Sequence, residues 1–265
     1  MTEQRPPTDA IEWESSKGLI GRRVVAYPRV GSTNDEAKRL AEAGEPEGTL
    51  VIADEQTAGR GRLQRTWWAP AGTALLMSLI LRPELAPHQA QRLTMLCSLA
   101  ICDAITEVTG LTTAVKWPND VLLRGRKVCG ILTDLGIEGS RLVYAVVGMG
   151  INVNVNFHAA GELASTATSL AQELGHEVSR AELLRAILIG LEERYTRLRA
   201  GDSPHVEWTA RLATVGQQVT IATSTGQLSG VAEGVDADGA LLLRDDNGAL
   251  RRILAGDVTS RTKRT

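Results

Sequence analysis

The sequence predicts a mixed α/β domain followed by a small all-β one, and three observations carry that expectation. Apolar runs of strand length alternate with long helical segments up to about residue 200. After Val215 the texture changes to short strands separated by turn signals. The 265 residues, 43% hydrophobic and 23% charged, suffice for one large core and a satellite. The larger domain is placed at residues 21–214 and the smaller at 215–265, with 1–20 read as a loosely ordered arm.

Regular text begins at Arg22 with a short strand, RRVVAYP. Ser32-Thr33-Asn34 then opens a helix. Thr33 followed three residues later by Glu36 has the form of a capping box, and Gly44 suits the left-handed residue that ends it. TLVIAD (49–54) and TALLMSLIL (73–81) are continuous apolar runs, whereas the intervening EQTAGRGRLQRTWWAPAG has the glycines and arginines of a loop. A helix from about Pro87 to Val108 precedes strands at TAVKW, DVLLR, KVCGILTDLG and RLVYAVVGMGINV, with Gly125 turning between the second and third. A further helix runs from about Ser179 to Ala200. The last strands, QQVTIAT, LSGVAEGV, ALLLRD and LRRIL, are spaced by TSTG, DADG and DDNG turns and read as a small β-barrel or sandwich.

A net charge of −2 argues against a surface made for nucleic acid, because phosphate binding by counterion release needs a strong excess of Lys and Arg. Any anion site must be local. The three cysteines lack metal-ligand spacing and are read as reduced thiols. The N-terminal residues carry acids and two prolines where a signal peptide needs a basic start and an apolar run. The longest apolar stretch, around Leu93 to Ile105, is too short and too interrupted to span a bilayer. A soluble, cytoplasmic protein without membrane association is expected.

The densest chemical signal is Gly59-Arg60-Gly61-Arg62-Leu63-Gln64-Arg65, followed by Trp67 and Trp68. Glycines free backbone amides to face an anion, and arginines supply permanently charged forks for phosphate or carboxylate. A solvated basic loop, or an arginine-glycine contact to nucleic acid, is the alternative. The second signal is Lys116-Trp117-Pro118-Asn119-Asp120, where proline makes a rigid corner that holds Asn119 and Asp120; an ordinary turn would look the same. Lys127 opens a run that is buried at once, with Gly130 permitting close backbone approach, and a lysine there either offsets charge on a reacting anion or snorkels from a strand edge. Gly148-x-Gly150 lacks the third glycine of a dinucleotide fingerprint, Val153 standing in its place. There is no GxxxxGKS or GxxxxGKT phosphate loop, no GxSxG elbow and no histidine pair at helical spacing.

Taken in order, Ser32-Thr33-Asn34, Glu55-Gln56-Thr57-Ala58-GRGR, KWPND, Lys127 with Gly130-Ile131-Leu132, and Gly148 to Asn152 resemble the catalytic region of the biotin-protein ligases. The resemblance spans roughly residues 24 to 265, and GRGR with KWPND in this order and spacing is highly specific to that family. It implies a mixed sheet flanked by helices, related to class II aminoacyl-tRNA synthetases, with a C-terminal domain similar to an SH3 barrel. It further implies ATP and biotin as substrates, Mg2+ accompanying the nucleotide, and a biotin carboxyl carrier protein domain of a carboxylase as the partner. Among the residues, Ser32, Thr33, Asn34 and Gln56 resemble those that hold the biotin ring, and Gly59, Arg60, Gly61, Arg62, Trp67, Lys127 and Gly130 complete the biotin set. Arg60, Arg62, Trp67, Asn119, Asp120, Lys127 and Asn152 are the positions implied for ATP. Arg62 and Lys127 would neutralise charge as the biotin carboxylate attacks the α-phosphate, and Asp120 would orient or deprotonate the acceptor amine.

Two positions depart from the family pattern. Gln64 occupies the last glycine of the usual GRGRxGR, and Cys129 replaces the usual alanine before Gly130. The arm is too short for the DNA-binding domain of family members that double as repressors, so no specific DNA binding is expected, and a monomer or homodimer is. The related lipoate and octanoate transferases are one rival reading, and an RNA-binding module is another.

Overall fold

The computed structural model describes residues 18–158, 161–223 and 226–260. Most of the expected arm therefore lies outside the described residues. Its last residues pack down on the domain, with Ile20 1% exposed and its N–H donating to Glu192 Oε2 at 2.6 Å.

Seven strands, β1 (Val24–Val30), β2 (Leu50–Gln56), β3 (Ala74–Leu81), β4 (Thr113–Lys116), β5 (Asp120–Leu123), β6 (Arg126–Glu138) and β7 (Arg141–Asn152), form one sheet. Its order is β1-β2-β3-β7-β6-β5-β4. Only the β1–β2 pair is parallel, as the helix between them demands; the other neighbours run antiparallel. β3, buried at every position, sits inside the sheet with both faces covered, which is why its sequence reads as an unbroken apolar run.

Successive residues of β3 serve different layers. Leu75, Met77, Leu79 and Leu81 join the main core beneath two long helices, whereas Ile80, Ala74 and Leu76 join clusters on the opposite face. That opposite face carries α1 (Thr33–Glu42), which buries Ala37 and Ala41 against Val51, Ile80 and Val146. The two long helices are α2 (Gln91–Thr109) and, beyond the short α3 (Leu163–Thr166) and α4 (Leu170–Leu174), α5 (Arg180–Arg199). α6 (His205–Ala210) leads out of the domain and plugs Trp208 into the core, its Nε1 donating to Ser98 Oγ at 2.9 Å.

Two sequence expectations about helices are corrected. The capping box at Thr33 and Glu36 does not form: Ser32 is the N-cap residue and its side chain caps nothing. Thr33 and Asn34 are 3% and 4% exposed, so tertiary partners claim their side chains, and Glu36 receives the Tyr27 hydroxyl at 2.6 Å. The segment from Pro87 is a single 3-10 turn over Pro87–Gln89 before α2 begins, and Gly110, with φ 71°, stops that helix in the left-handed region. Gly44 follows α1 with φ 89°, as the sequence predicted.

The second sheet comprises β8 (Gln218–Thr223), β9 (Gly226–Val235), β10 (Leu241–Asp245), β11 (Leu250–Ile253) and β12 (Asp257–Ser260), antiparallel in the order β11-β10-β9-β8-β12. Sequence reasoning missed β12: DVTS is four residues long and carries little apolar weight. Trp117, 1% exposed, joins the two sheets, its backbone N–H donating to Thr214 Oγ1 at 3.1 Å and its indole N–H donating to Gly239 O at 2.9 Å. Gly239 permits this approach: φ is +85°, and a Cβ there would lie 2.4 Å from Met95 Cε.

Candidate functional site

On the sheet face that carries α1, strand register lines up two cross-strand rows. One contains Ser78, Gly148 and Leu132, and the next Leu76, Gly150, Gly130 and Asp120. The glycines leave the backbone bare, and other groups rest directly on it. A Cβ on Gly148 would lie 1.9 Å from Asn34 Oδ1; on Gly150, 2.6 Å from Trp67 Cε2; on Gly130, 2.9 Å from both Trp67 Cζ3 and Lys127 Nζ. Gly148-x-Gly150 is therefore the floor of a pocket. Its signal in the sequence was the strand period of two, not the fingerprint against which it was tested.

The start of α1 forms one wall. Ser78 donates to Asn34 Oδ1 at 2.6 Å, and Asn34 Nδ2 donates to Leu132 O and Asp134 Oδ2, each at 3.2 Å. Gln56 Oε1 accepts from both the amide and the hydroxyl of Thr33, at 2.7 and 2.9 Å. Ser32, Thr33, Asn34 and Gln56 line this first pocket together with Met77, Leu132 and Met149. Neutral donors and acceptors set among thioether and aliphatic groups suit an uncharged polar ring on an apolar body.

The arginine loop folds over this pocket as a narrow hairpin. Trp67 N–H donates to Gly59 O at 2.9 Å, Gly61 N–H donates to Arg65 O at 2.7 Å, and Arg60 bridges Thr66. Leu63 and Gln64 form its tip with φ of 54° and 61°. Arg60 reaches the carboxylates of Asp35 and Asp134. Arg62 donates to Asn119 Oδ1 at 3.0 Å and to Gly256 O at 3.1 Å, while Arg65 pairs with Asp257, so the second sheet also holds the loop. Burial pulls the Arg62 guanidinium below its ordinary pKa, although a guanidinium remains charged in any event. Gly59 is the one expected biotin residue that does not line the first pocket; it stands behind Trp67, where a Cβ would meet Trp67 O at 2.4 Å.

A second pocket opens on the far side of Trp67. The cis Trp117–Pro118 bond leads into Asn119, whose Nδ2 donates to Ile131 O at 2.8 Å, and Asp120, whose Oδ1 lies 2.7 Å from Lys127 Nζ. Asn152, 3% exposed, donates through Nδ2 to Thr168 O at 3.1 Å, and its Oδ1 has no hydrogen-bond partner among the described residues. Lys116 and Trp68, which belong to the two sequence motifs but were given no role there, also line this pocket, as do Phe157 and Asp257, which were not singled out from the sequence. Gly61, Arg62, Trp67, Asn119 and Lys127 line both pockets. Lys127 Nζ lies 5.5 Å from the centre of the Trp67 ring, so two fixed cations mark the seam where contents of one pocket would meet those of the other.

Of the positions expected for ATP, Arg62, Trp67, Asn119, Asp120, Lys127 and Asn152 line the second pocket, whereas Arg60 lines only the first, and Gly59 lines neither. Gly148 and Gly150 belonged to a motif that carried the resemblance but were given no role there; those missed outright are Ser78, Asp134 and the contribution of the second sheet. Cys97, Cys102 and Cys129 are buried free thiols, and burial raises the pKa of each. Among the described residues no group of three or more His, Cys, Asp or Glu could hold a metal ion, and no helix is long and apolar enough to cross a membrane.

Comparison with known proteins yields two family matches. Residues 26–152 match the biotin/lipoate A/B protein ligase family, and residues 214–259 match the biotin protein ligase C terminal domain. The bifunctional ligase/repressor BirA of Bacillus subtilis is 37% identical over 243 residues, covering 91% of this chain and 74% of its own. A biotin acetyl-CoA-carboxylase ligase of Mycobacterium tuberculosis is 34% identical over 266 residues, covering 96% of each. Among solved structures, the biotin protein ligase from Aquifex aeolicus in complex with biotin and ATP superposes with a TM-score of 0.76 at 28% identity, covering 91% of this chain and 99% of the other.

Proposed function

The chain belongs to the biotin/lipoate A/B protein ligase family as a biotin protein ligase, and we propose that its two pockets divide that activity between them. The pocket of Ser32, Thr33, Asn34 and Gln56 takes biotin, ring first, with the valeryl chain running under Trp67. The pocket of Asn119, Asp120 and Asn152 takes ATP. The supporting observation is the seam: Lys127 and Arg62 line both pockets, where a carboxylate from one side would meet an α-phosphate from the other.

In the first step a biotin carboxylate oxygen forms a bond to the α-phosphorus of ATP, and the bond to the β-phosphate breaks, releasing pyrophosphate. Lys127 and Arg62 neutralise the charge that gathers on carboxylate and phosphate oxygens in a water-poor setting. Mg2+ would travel with the nucleotide phosphates. In the second step the neutral lysine amine of the carrier attacks the acyl carbon, AMP leaves, and an amide forms. Asp120, beside Lys127, is placed to orient that amine or take its proton. The hairpin of Gly59 to Trp67 would exclude water, which competes with the amine for the adenylate.

The partner under this reading is a biotin carboxyl carrier protein domain of a carboxylase, met in the cytoplasm by a monomer or homodimer. Specific DNA binding is not part of the proposal. Residues 21–214 would be the catalytic unit and 215–265 an SH3-like unit that closes the nucleotide side. The test is biotin-dependent exchange of labelled pyrophosphate into ATP, with octanoate and lipoate in parallel. Exchange with biotin alone is expected. Exchange with lipoate or octanoate but not biotin would move the chain to the acyl transferases that share its family.

A further inference from the structure

We infer that Asp134 is a positioning residue that couples occupancy of the biotin pocket to closure of the arginine hairpin, an inference that rests on the assignment of the first pocket to biotin. Asp134 was not among the residues expected from the sequence. It lies on β6, on the same face as Gly130 and Leu132, one row beyond the glycine floor, paired in register with Val146. Its Oδ2 accepts from Asn34 Nδ2 and from Arg60 Nη1, each at 3.2 Å. One carboxylate oxygen thus joins a residue of the pocket wall to the first arginine of the hairpin.

The two contacts do different things. Asn34 has an amide that could face either way, and the acceptors Asp134 and Leu132 O fix its NH2 end while Ser78 occupies its oxygen. The amide is then presented in one orientation to whatever the pocket holds. Arg60 has a second carboxylate, Asp35, but that side chain is 57% exposed, whereas Asp134 is 25% exposed and anchored in the central sheet. The rigid half of the latch is therefore the half that also touches the pocket. A ligand that immobilises Asn34 fixes Asp134 and with it the landing point of Arg60; by linkage, a docked Arg60 must tighten ligand binding by the same factor.

The experiment compares Asp134→Asn, Asp35→Asn and Asp134→Glu with the parent chain, and uses two readouts without ATP. One is the biotin dissociation constant by calorimetry. The other is the rate of tryptic cleavage after Arg60, Arg62 or Arg65 with and without biotin. A charge-assisted hydrogen bond in a part-exposed site supports a loss of about tenfold in biotin affinity for Asp134→Asn. Biotin should also no longer slow cleavage of the hairpin in that variant. Asp35→Asn should speed cleavage of the free protein yet keep both biotin affinity and the protection biotin confers. Asp134→Glu, which keeps the charge, should regain protection.

A purely structural role for Asp134 would lower the melting temperature while leaving protection by biotin intact, and that result overturns the inference. So does equal behaviour of Asp134→Asn and Asp35→Asn, or an Asp134→Glu chain protected no better than Asp134→Asn. Failure of the parent chain to bind biotin would instead sink the ligand assignment beneath it. Normal biotin binding by every variant would sink the coupling alone.

Discussion

The two pockets that meet at Lys127 are built by different means. In the first, strand register places bare glycines in rows, and Asn34, Ser78, Thr33 and Gln56 are bonded to one another before any ligand arrives. The second is bounded by a hairpin tip, by Phe157, Leu163 and Ser165 to Ala167, and by Asp257 of the other sheet, and Asn152 keeps an oxygen unpaired in it among the described residues. One pocket has its floor in a single sheet and its wall in the helix start upon it, with the loop as a roof; the other exists only when the loop and two sheets come together. Recognition in the first should accordingly be sensitive to fractions of an ångström in its floor. Recognition in the second should depend on whether the loop is closed.

The largest effect is expected at the seam, where both modes of construction contribute. Lys127→Ala or Arg62→Ala should cut biotin-dependent pyrophosphate exchange by roughly two to three orders of magnitude, since removing one preorganised charge at a reacting anion typically costs about 3 to 4 kcal/mol. The pair also separates the two pockets. Arg62 bonds Gly256 O of the second sheet, so its loss should raise the KM for ATP as well, whereas Lys127→Ala should act chiefly on kcat. A loss below threefold for either variant would remove that residue from the reacting centre.

Next in size is Gly148→Ala, aimed at the first pocket alone. The new methyl would sit 1.9 Å from Asn34 Oδ1, a contact that only displacement of Asn34 relieves. Overpacking of this kind costs about 1 to 3 kcal/mol, so biotin affinity should fall by roughly 5- to 150-fold. The KM for ATP should change less than biotin affinity, because Gly148 lines only the first pocket and reaches the hairpin only through Asn34, Asp134 and Arg60. Calorimetry with biotin and initial rates against ATP measure the two. Unchanged biotin affinity would mean that the sheet-built pocket is as compliant as its neighbour, and the contrast between them would vanish.

The same contrast explains what could be read from the sequence. Features set by local pattern were legible: the buried run of β3, the helices α2 and α5, the glycine that stops α1, and the two motifs whose residues converge on Lys127. Features set by register or by distant partners were not. Ser78 is one hydroxyl in the apolar run ALLMSLIL, and only the pairing of β3 with β7 puts it beside Gly148. Thr33 and Glu36 satisfied a local capping rule that tertiary partners overrode. Arg65 and Asp257 are 192 residues apart, and no local signal tells an arginine loop which carboxylate will meet it. Asp134 could have been flagged as a lone charge in GILTDLG, on the same strand face as Gly130, had the period of two been carried one row further.

The smallest effect is expected at the tip of the hairpin, and it tests the loop-built pocket by itself. Gln64 occupies the glycine position of the family pattern and holds φ of 61° next to Leu63 at 54°. A non-glycine residue in that region costs about 1 to 2 kcal/mol relative to the right-handed one, a penalty paid only while the hairpin is closed. Gln64→Gly removes it, but glycine also gives the open loop up to about 1 kcal/mol of extra entropy, so most of the gain is cancelled. The net expectation is a closed state favoured by at most about fivefold, read as slower tryptic cleavage at Arg62 and Arg65 and slower loss of adenylate to water. Biotin affinity in the absence of ATP should move less. Gln64→Ala is the control that separates backbone from side chain, since alanine keeps the strained φ. If alanine slows cleavage as much as glycine, the Gln64 side chain rather than the backbone restrains the tip. If glycine speeds cleavage, entropy outweighs strain, and the closed hairpin rests on its arginine contacts, its cross-hairpin hydrogen bonds and the packing of Trp67 rather than on the tip.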